Sequence, residues 1–159
     1  MDKKTESEKE KPALLVGAVI GSAFSPHEFR IGNYVTSKSW GGSHKIQGIE
    51  VLEDRIDFKV KGYVHSLIEG QYFDLDKIQI TAELLLKVGF IEDKRFANIQ
   101  YRIDEEQYHS LNIYNANDFW CPIFRCESQK QVFENYGIKY LHQLQNIYYI
   151  YSGRELSLS

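Results

Sequence analysis

The chain has 159 residues, with 19 Lys and Arg against 22 Asp and Glu, a net charge of −3. That length suits one domain, and 43% hydrophobic residues, including 11 Tyr, 9 Phe and 2 Trp, supply a core. This composition excludes a chain disordered throughout, a scaffold held by disulfides, since there are only 2 Cys, and a strongly basic nucleic-acid coat.

Residues 1–12 carry four Lys and four acids and read as a disordered, solvated tail. Residues 13–29 contain the longest apolar run, Ala13 to Phe24. It is too short for a spanning helix, which needs about 17–25 apolar residues. A signal peptide would want a positive flank, and this flank is neutral. The run is therefore expected to be a buried or partner-bound strand, in a cytoplasmic protein with reduced thiols and no membrane contact.

Residues 30–80 are expected to form a small SH3-like β-barrel unit. After Ile31 and Val35, the loop from Ser37 to His44 leads to a strand carrying Ile46, Ile49 and Val51. Arg55 to Lys61 is the cleanest signal: Ile56, Phe58 and Val60 alternate with Asp57 and Lys59, giving one buried and one wet face. Another strand is expected between Tyr72 and Ile80.

Residues 81–159 are expected to add a helix, a hairpin sheet and a closing helix, packed with the barrel unit as one domain, so that the whole is α+β. Thr81 is a good N-cap, Glu83 lies in the first turn and Gly89 is a natural stop. Strands are expected at 97–103, 108–114 and 119–125, with Pro122 demoting the last to an edge or bulge. A short helix is expected at 129–136. The last helix, Tyr140 to Ser152, places Leu141, Leu144, Ile147, Tyr148 and Tyr151 on one arc. His142, Gln145, Asn146 and Tyr149 fall opposite, on the face expected to be wet.

No nucleotide loop, metalloprotease or serine-elbow motif is present in the sequence, so no catalytic residue, metal or cofactor is assigned. Cys121 and Cys126 have no second ligand pair for zinc. Asp74 and Asp76 form a D-x-D that lacks further magnesium ligands and reads as a polar strand edge or turn. An enzyme would use those acids or His142. Nucleic-acid binding has candidates in Lys38, Lys45, Arg55, Lys59 and Lys61, beside Trp40. Overall charge argues against it: residues 13–80 carry 7 bases and 8 acids, and residues 81–159 carry 8 and 10. Protein interaction is the leading class, because Tyr and Trp are enriched at interface hot spots. Trp40, His142, Asn146 and Tyr149 are its candidates.

RIGNYV at 30–35, TAELLLKVGF at 81–90 and YLHQLQNIYYIYSGREL at 140–156 resemble a family of small proteins from phages, prophages and mobile elements of Bacteroidetes. The likeness covers about residues 30–156 and brings no activity or catalytic residue with it. It implies a non-enzymatic accessory protein that binds a host or phage protein or a protein–RNA complex, as an adaptor or an anti-defence, anti-CRISPR-like inhibitor. The alternative is an RNA- or DNA-binding regulator.

Overall fold

The computed structural model describes residues 26–68, 71, 73–94, 100–105, 109–116, 119–126, 129–132 and 137–158. Ala13 to Phe24 and the charged tail lie outside these residues. The alternating segment becomes strand β3 (Ile56–Val60), with Phe58 and Val60 fully buried and Lys59 exposed. It lies within an antiparallel sheet with β1 (Tyr34–Ser37), β2 (Ser43–Val51), β4 (Tyr63–Leu67) and β5 (Leu75–Asp76). The strand order is β4-β3-β2-β1-β5. The sheet is open, with β4 and β5 at its edges. Its inner face carries Val35, Ile46, Phe58, Val60, Leu67 and Leu75, joined by Phe29 and Phe73 in one apolar cluster.

The β3–β4 hairpin turns on two residues, Lys61 (φ 51°) and Gly62 (φ 83°), both left-handed. This matches the twist that two-residue hairpins require. Gly62 adopts it freely, whereas a lysine pays about 1 kcal/mol or more. In β2 the register skips Gln47 between Ile46 and Gly48, a bulge. The Gln47 side chain accepts the Gly62 N–H at 3.0 Å, tying the bulge to the turn.

Helix α1 (Ala82–Lys87) starts where Thr81 Oγ1 accepts the Leu84 N–H at 3.1 Å. It leads to a second antiparallel sheet of β6 (Ile91–Asp93), β7 (Gln100–Glu105), β8 (His109–Ala116), β9 (Phe119–Cys126) and β10 (Gln129–Val132). Its order is β10-β9-β8-β7-β6, a meander. Two expectations are corrected here. The stretch beginning at Gln129 is a strand, not a helix: β10 pairs with β9 from Gln129↔Cys126 to Val132↔Ile123. Residues 133–136 lie outside the described residues. Strand β9 is also not an edge, because β8 and β10 flank it. Pro122 is tolerated there for a geometric reason. Its missing N–H would lie on the side where Trp120 N–H donates to Ile138 O, past the end of the β10 ladder.

Helix α2 (Leu141–Ser152) closes the chain and stops at Gly153. Leu141, Leu144 and Tyr148 enter a second apolar cluster with Leu85, Phe90, Leu111, Ile113, Trp120 and Ile138. The opposite helix face, expected to be wet, is buried over its first half, while Tyr149 remains exposed. His142 and Gln145 are 0% exposed. Gln145 accepts the Tyr34 N–H at 2.9 Å and donates to Leu156 O at 3.0 Å and Gly32 O at 3.3 Å. Asn146 accepts from Arg30 Nε at 2.8 Å and Asn33 Nδ2 at 3.0 Å, and donates to Glu28 O at 3.0 Å. The helix is thus clasped on its apolar side by the second sheet and on its polar side by the segment leading into β1. The polar side is held by hydrogen bonds because burying an amide without partners is costly.

Candidate interaction surface

The sequence candidates separate sharply in space. His142 lies under Phe29, whose ring stacks on it at 4.2 Å, and its Nε2 meets Glu28 Oε2 at 3.1 Å. Lys77 Nζ reaches the same carboxylate oxygen at 2.8 Å. Burial drives the His142 pKa down to about 4, despite the opposing pull of Glu28, so the ring is neutral at pH 7. The neutral tautomer that fits carries its proton on Nε2 and donates to Glu28. Burial pushes the Glu28 carboxyl up, but the contacts with Lys77 and His142 bring it below its ordinary value. This is an internal polar contact, and His142 is unavailable to a partner. Asn146 is likewise consumed by its three hydrogen bonds. Tyr149 is exposed, yet its ring is covered on one face by the Arg30 guanidinium, 4.3 Å from the centroid.

Trp40 is 45% exposed and Tyr63, at the start of β4, is 61% exposed. Their ring centroids are 5.0 Å apart with planes tilted by 59°. Trp40 also meets the edges of His44 at 6.0 Å and His65 at 5.0 Å. The register explains the gathering. Tyr63 stands opposite Val60 and His65 opposite Phe58, so both point to the inner face of the sheet, at its end. Between Trp40, Tyr63 and Lys61 opens a cleft of about 320 Å³. Lys61, at the tip of the β3–β4 hairpin, lines it beside Tyr63. Tyr63 and His65 escape sequence reasoning, since only pairing with β3 brings them beneath Trp40.

Asp74 fixes the loop that carries Trp40. Its carboxylate accepts from Ser37 Oγ at 2.6 Å, from Ser39 Oγ and from Ser39 N–H at 2.9 Å, while Ser37 Oγ accepts the Trp40 N–H at 2.9 Å. Burial raises the Asp74 pKa, but those hydrogen bonds and His65 outweigh it and hold the group below its ordinary value. His65 Nδ1 lies 3.8 Å from Asp74. Burial lowers the His65 pKa, only partly offset by Asp74. Asp76 accepts the Lys77 N–H at 2.8 Å. Both acids of the D-x-D are therefore engaged in local structure. Among the described residues no group of three or more His, Cys, Asp or Glu is placed to hold a metal ion, and no helix is long and apolar enough to cross a membrane. Cys121 is a buried free thiol in β9.

The five basic candidates do not form one patch. Arg55 is at the far end of the sheet, paired with Asp54 at 3.4 Å and Asp57 at 3.3 Å. Lys38 donates to Phe73 O at 3.0 Å. Lys45 and Lys59 alternate with the buried Ile46 and Val60 and so lie on the outer face. Lys61 alone of the five lines the cleft. The register does, however, segregate charge along the strands. Lys38, Lys45, Lys59 and Lys61 lie toward the Trp40 end, with the two acids Asp74 and Asp76, while Glu50, Glu53, Asp54 and Asp57 lie toward the other, with Arg55. The overall neutrality of residues 13–80 conceals this separation.

Compared with protein-family models, with curated proteins and with solved structures, the chain matches none.

Proposed function

We propose that this is a non-enzymatic binding protein that engages its partner, a protein or a protein–RNA complex, through the Trp40–Lys61–Tyr63 cleft. The observation that carries the reading is two exposed aromatic rings held on a braced frame. Asp74 ties the Trp40 loop to Ser37 and Ser39, and a hairpin turn fixes Lys61 and Tyr63. Such pre-organised aromatics lose little freedom on binding, and Trp and Tyr dominate interface energetics. The resemblance to small proteins of Bacteroidetes phages and mobile elements supports an accessory role in the cytoplasm, as an adaptor or an anti-defence inhibitor. The first sheet is open between β4 and β5, but its strand order, a four-strand meander whose fifth strand returns beside the first, supports its proposed kinship with SH3-like barrel units.

The test is capture from host lysate with the full chain and with Trp40→Ala/Tyr63→Ala. A partner retained by the wild type and lost by the variant supports the reading. Equal retention by both contradicts it.

A further inference from the structure

The occupant named here presupposes the docking surface proposed above. We infer that the Trp40–Lys61–Tyr63 cleft takes a single-stranded nucleic-acid segment, with the two rings stacking unpaired bases and Lys61 meeting the phosphate chain.

Three observations point to it. The cleft walls are two exposed aromatic rings, Trp40 and Tyr63, whose planes are tilted 59° to one another and so are not stacked on each other. Base–aromatic stacking is tolerant of sequence and needs no further donor set. The charge is complementary to phosphate. At this end of the sheet Lys38, Lys45, Lys59 and Lys61 outnumber the two acids, Asp74 and Asp76, and Lys61 lines the cleft itself. The cleft presents one ammonium and no guanidinium fork. A lone lysine recognises phosphate as a point charge, whereas bidentate capture of carboxylates is arginine chemistry. A lone lysine would also pair with a carboxylate, so it is the two rings, as stacking platforms, that favour unpaired bases over an acidic protein segment.

The third observation is the backbone of Lys61. A non-glycine residue at φ 51° is unfavourable, and Asn or Gly would serve the turn better. Lysine adds nothing to the turn itself, but it places an ammonium beside two rings. Strain of this kind collects at ligand sites.

The experiment is fluorescence anisotropy on the full chain with labelled uridine and deoxythymidine oligonucleotides of about twelve nucleotides, within the range of known single-strand binding sites on small domains. A duplex of the same length is the control. Both single strands are expected to bind, with affinity falling as salt rises. Preference between them tells whether the sugar 2′-hydroxyl is read. Tyr63→Ala and Trp40→Ala are each expected to weaken binding roughly tenfold. Lys61→Glu, which leaves the rings in place, should weaken it further and flatten the salt dependence. Lys59→Ala on the outer face should change affinity less than Lys61→Glu. If neither strand binds at low salt, or if binding is indifferent to Lys61→Glu and Tyr63→Ala, the nucleic-acid occupant is overturned. A lysate protein captured in a Trp40-dependent way while neither oligonucleotide binds would leave the docking surface standing and overturn only its occupant.

Discussion

Arg30 grips Glu155 with two nitrogens at once, Nη1 to Oε1 at 2.6 Å and Nη2 to Oε2 at 3.1 Å. The same guanidinium donates Nε–H to Asn146 and covers the Tyr149 ring. One residue thus joins the segment before β1 to α2 and to the chain beyond it. Two segments far apart in sequence, RIGNYV at 30–35 and YLHQLQNIYYIYSGREL at 140–156, meet here. Arg30, Gly32 and Asn33 come from the first, and Gln145, Asn146 and Glu155 from the second. Their polar side chains serve the architecture.

Arg30→Ala should therefore destabilise the fold by about 2 kcal/mol, because hydrogen bonds to charged groups are lost and Asn146 is left short of a donor. Arg30→Lys should recover only part of this, since an ammonium cannot match the fork. Urea unfolding of both variants, with a double-mutant cycle against Glu155→Gln, measures the coupling.

Gly32→Ala should be destabilising for two separate reasons. The residue has φ 99°, and an added Cβ would stand 3.1 Å from Glu155 Oε2. A cost of about 1–3 kcal/mol is expected in thermal or urea unfolding, with part of it removed in the Glu155→Gln background if the clash lies with the carboxylate.

The buried His142 makes stability depend on pH. Unfolded, its imidazole takes a proton as pH falls through about 6.5; folded, it does so only near 4. Between these values the unfolded chain binds more protons, so stability falls as the solution is acidified. The loss approaches about 3 kcal/mol at pH 4, from the size of the shift. Glu28, also lowered, acts in the same direction at still lower pH. Urea midpoints from pH 7.5 to about 4 should follow this curve in the wild type and flatten in His142→Gln, the replacement that cannot titrate.

Lys61→Asn separates the two roles of the hairpin tip. Asn tolerates the left-handed conformation better than Lys, so the variant should be more stable by about 0.5–1 kcal/mol. Binding at the cleft should weaken. A variant that is both less stable and unchanged in binding would remove Lys61 from the site.

What the sequence made legible was local. Strand β3 is readable because its alternation serves one buried face, and α1 because Thr81 and Gly89 bracket it. The apolar arc of α2 is readable too, with Leu141, Leu144 and Tyr148 in the core. What escaped was non-local. The polar arc of α2 looks solvated because periodicity registers only apolar burial. It cannot show that Tyr34 N–H and Gly32 O, more than a hundred residues away in sequence, meet Gln145. The Gln129 segment is polar and favours no strand by itself, but pairing with β9 makes it one. Trp40 was legible as an aromatic in a Gly- and Ser-rich loop. Its neighbours Tyr63 and His65 were not, because cross-strand register, absent from any single segment, assembles the cluster.

The most direct measurement is the affinity of the captured partner or oligonucleotide for Tyr63→Ala and Arg30→Ala, read beside the unfolding free energy of each. Tyr63 is exposed at the cleft and Arg30 belongs to the clasp. Tyr63→Ala is predicted to lose roughly tenfold in affinity with stability nearly unchanged. Arg30→Ala is predicted to lose stability while binding, under conditions where it is folded, stays near wild type. Binding retained in Tyr63→Ala and lost in folded Arg30→Ala would place the functional surface on the clasp and contradict the assignment of the Trp40 cleft.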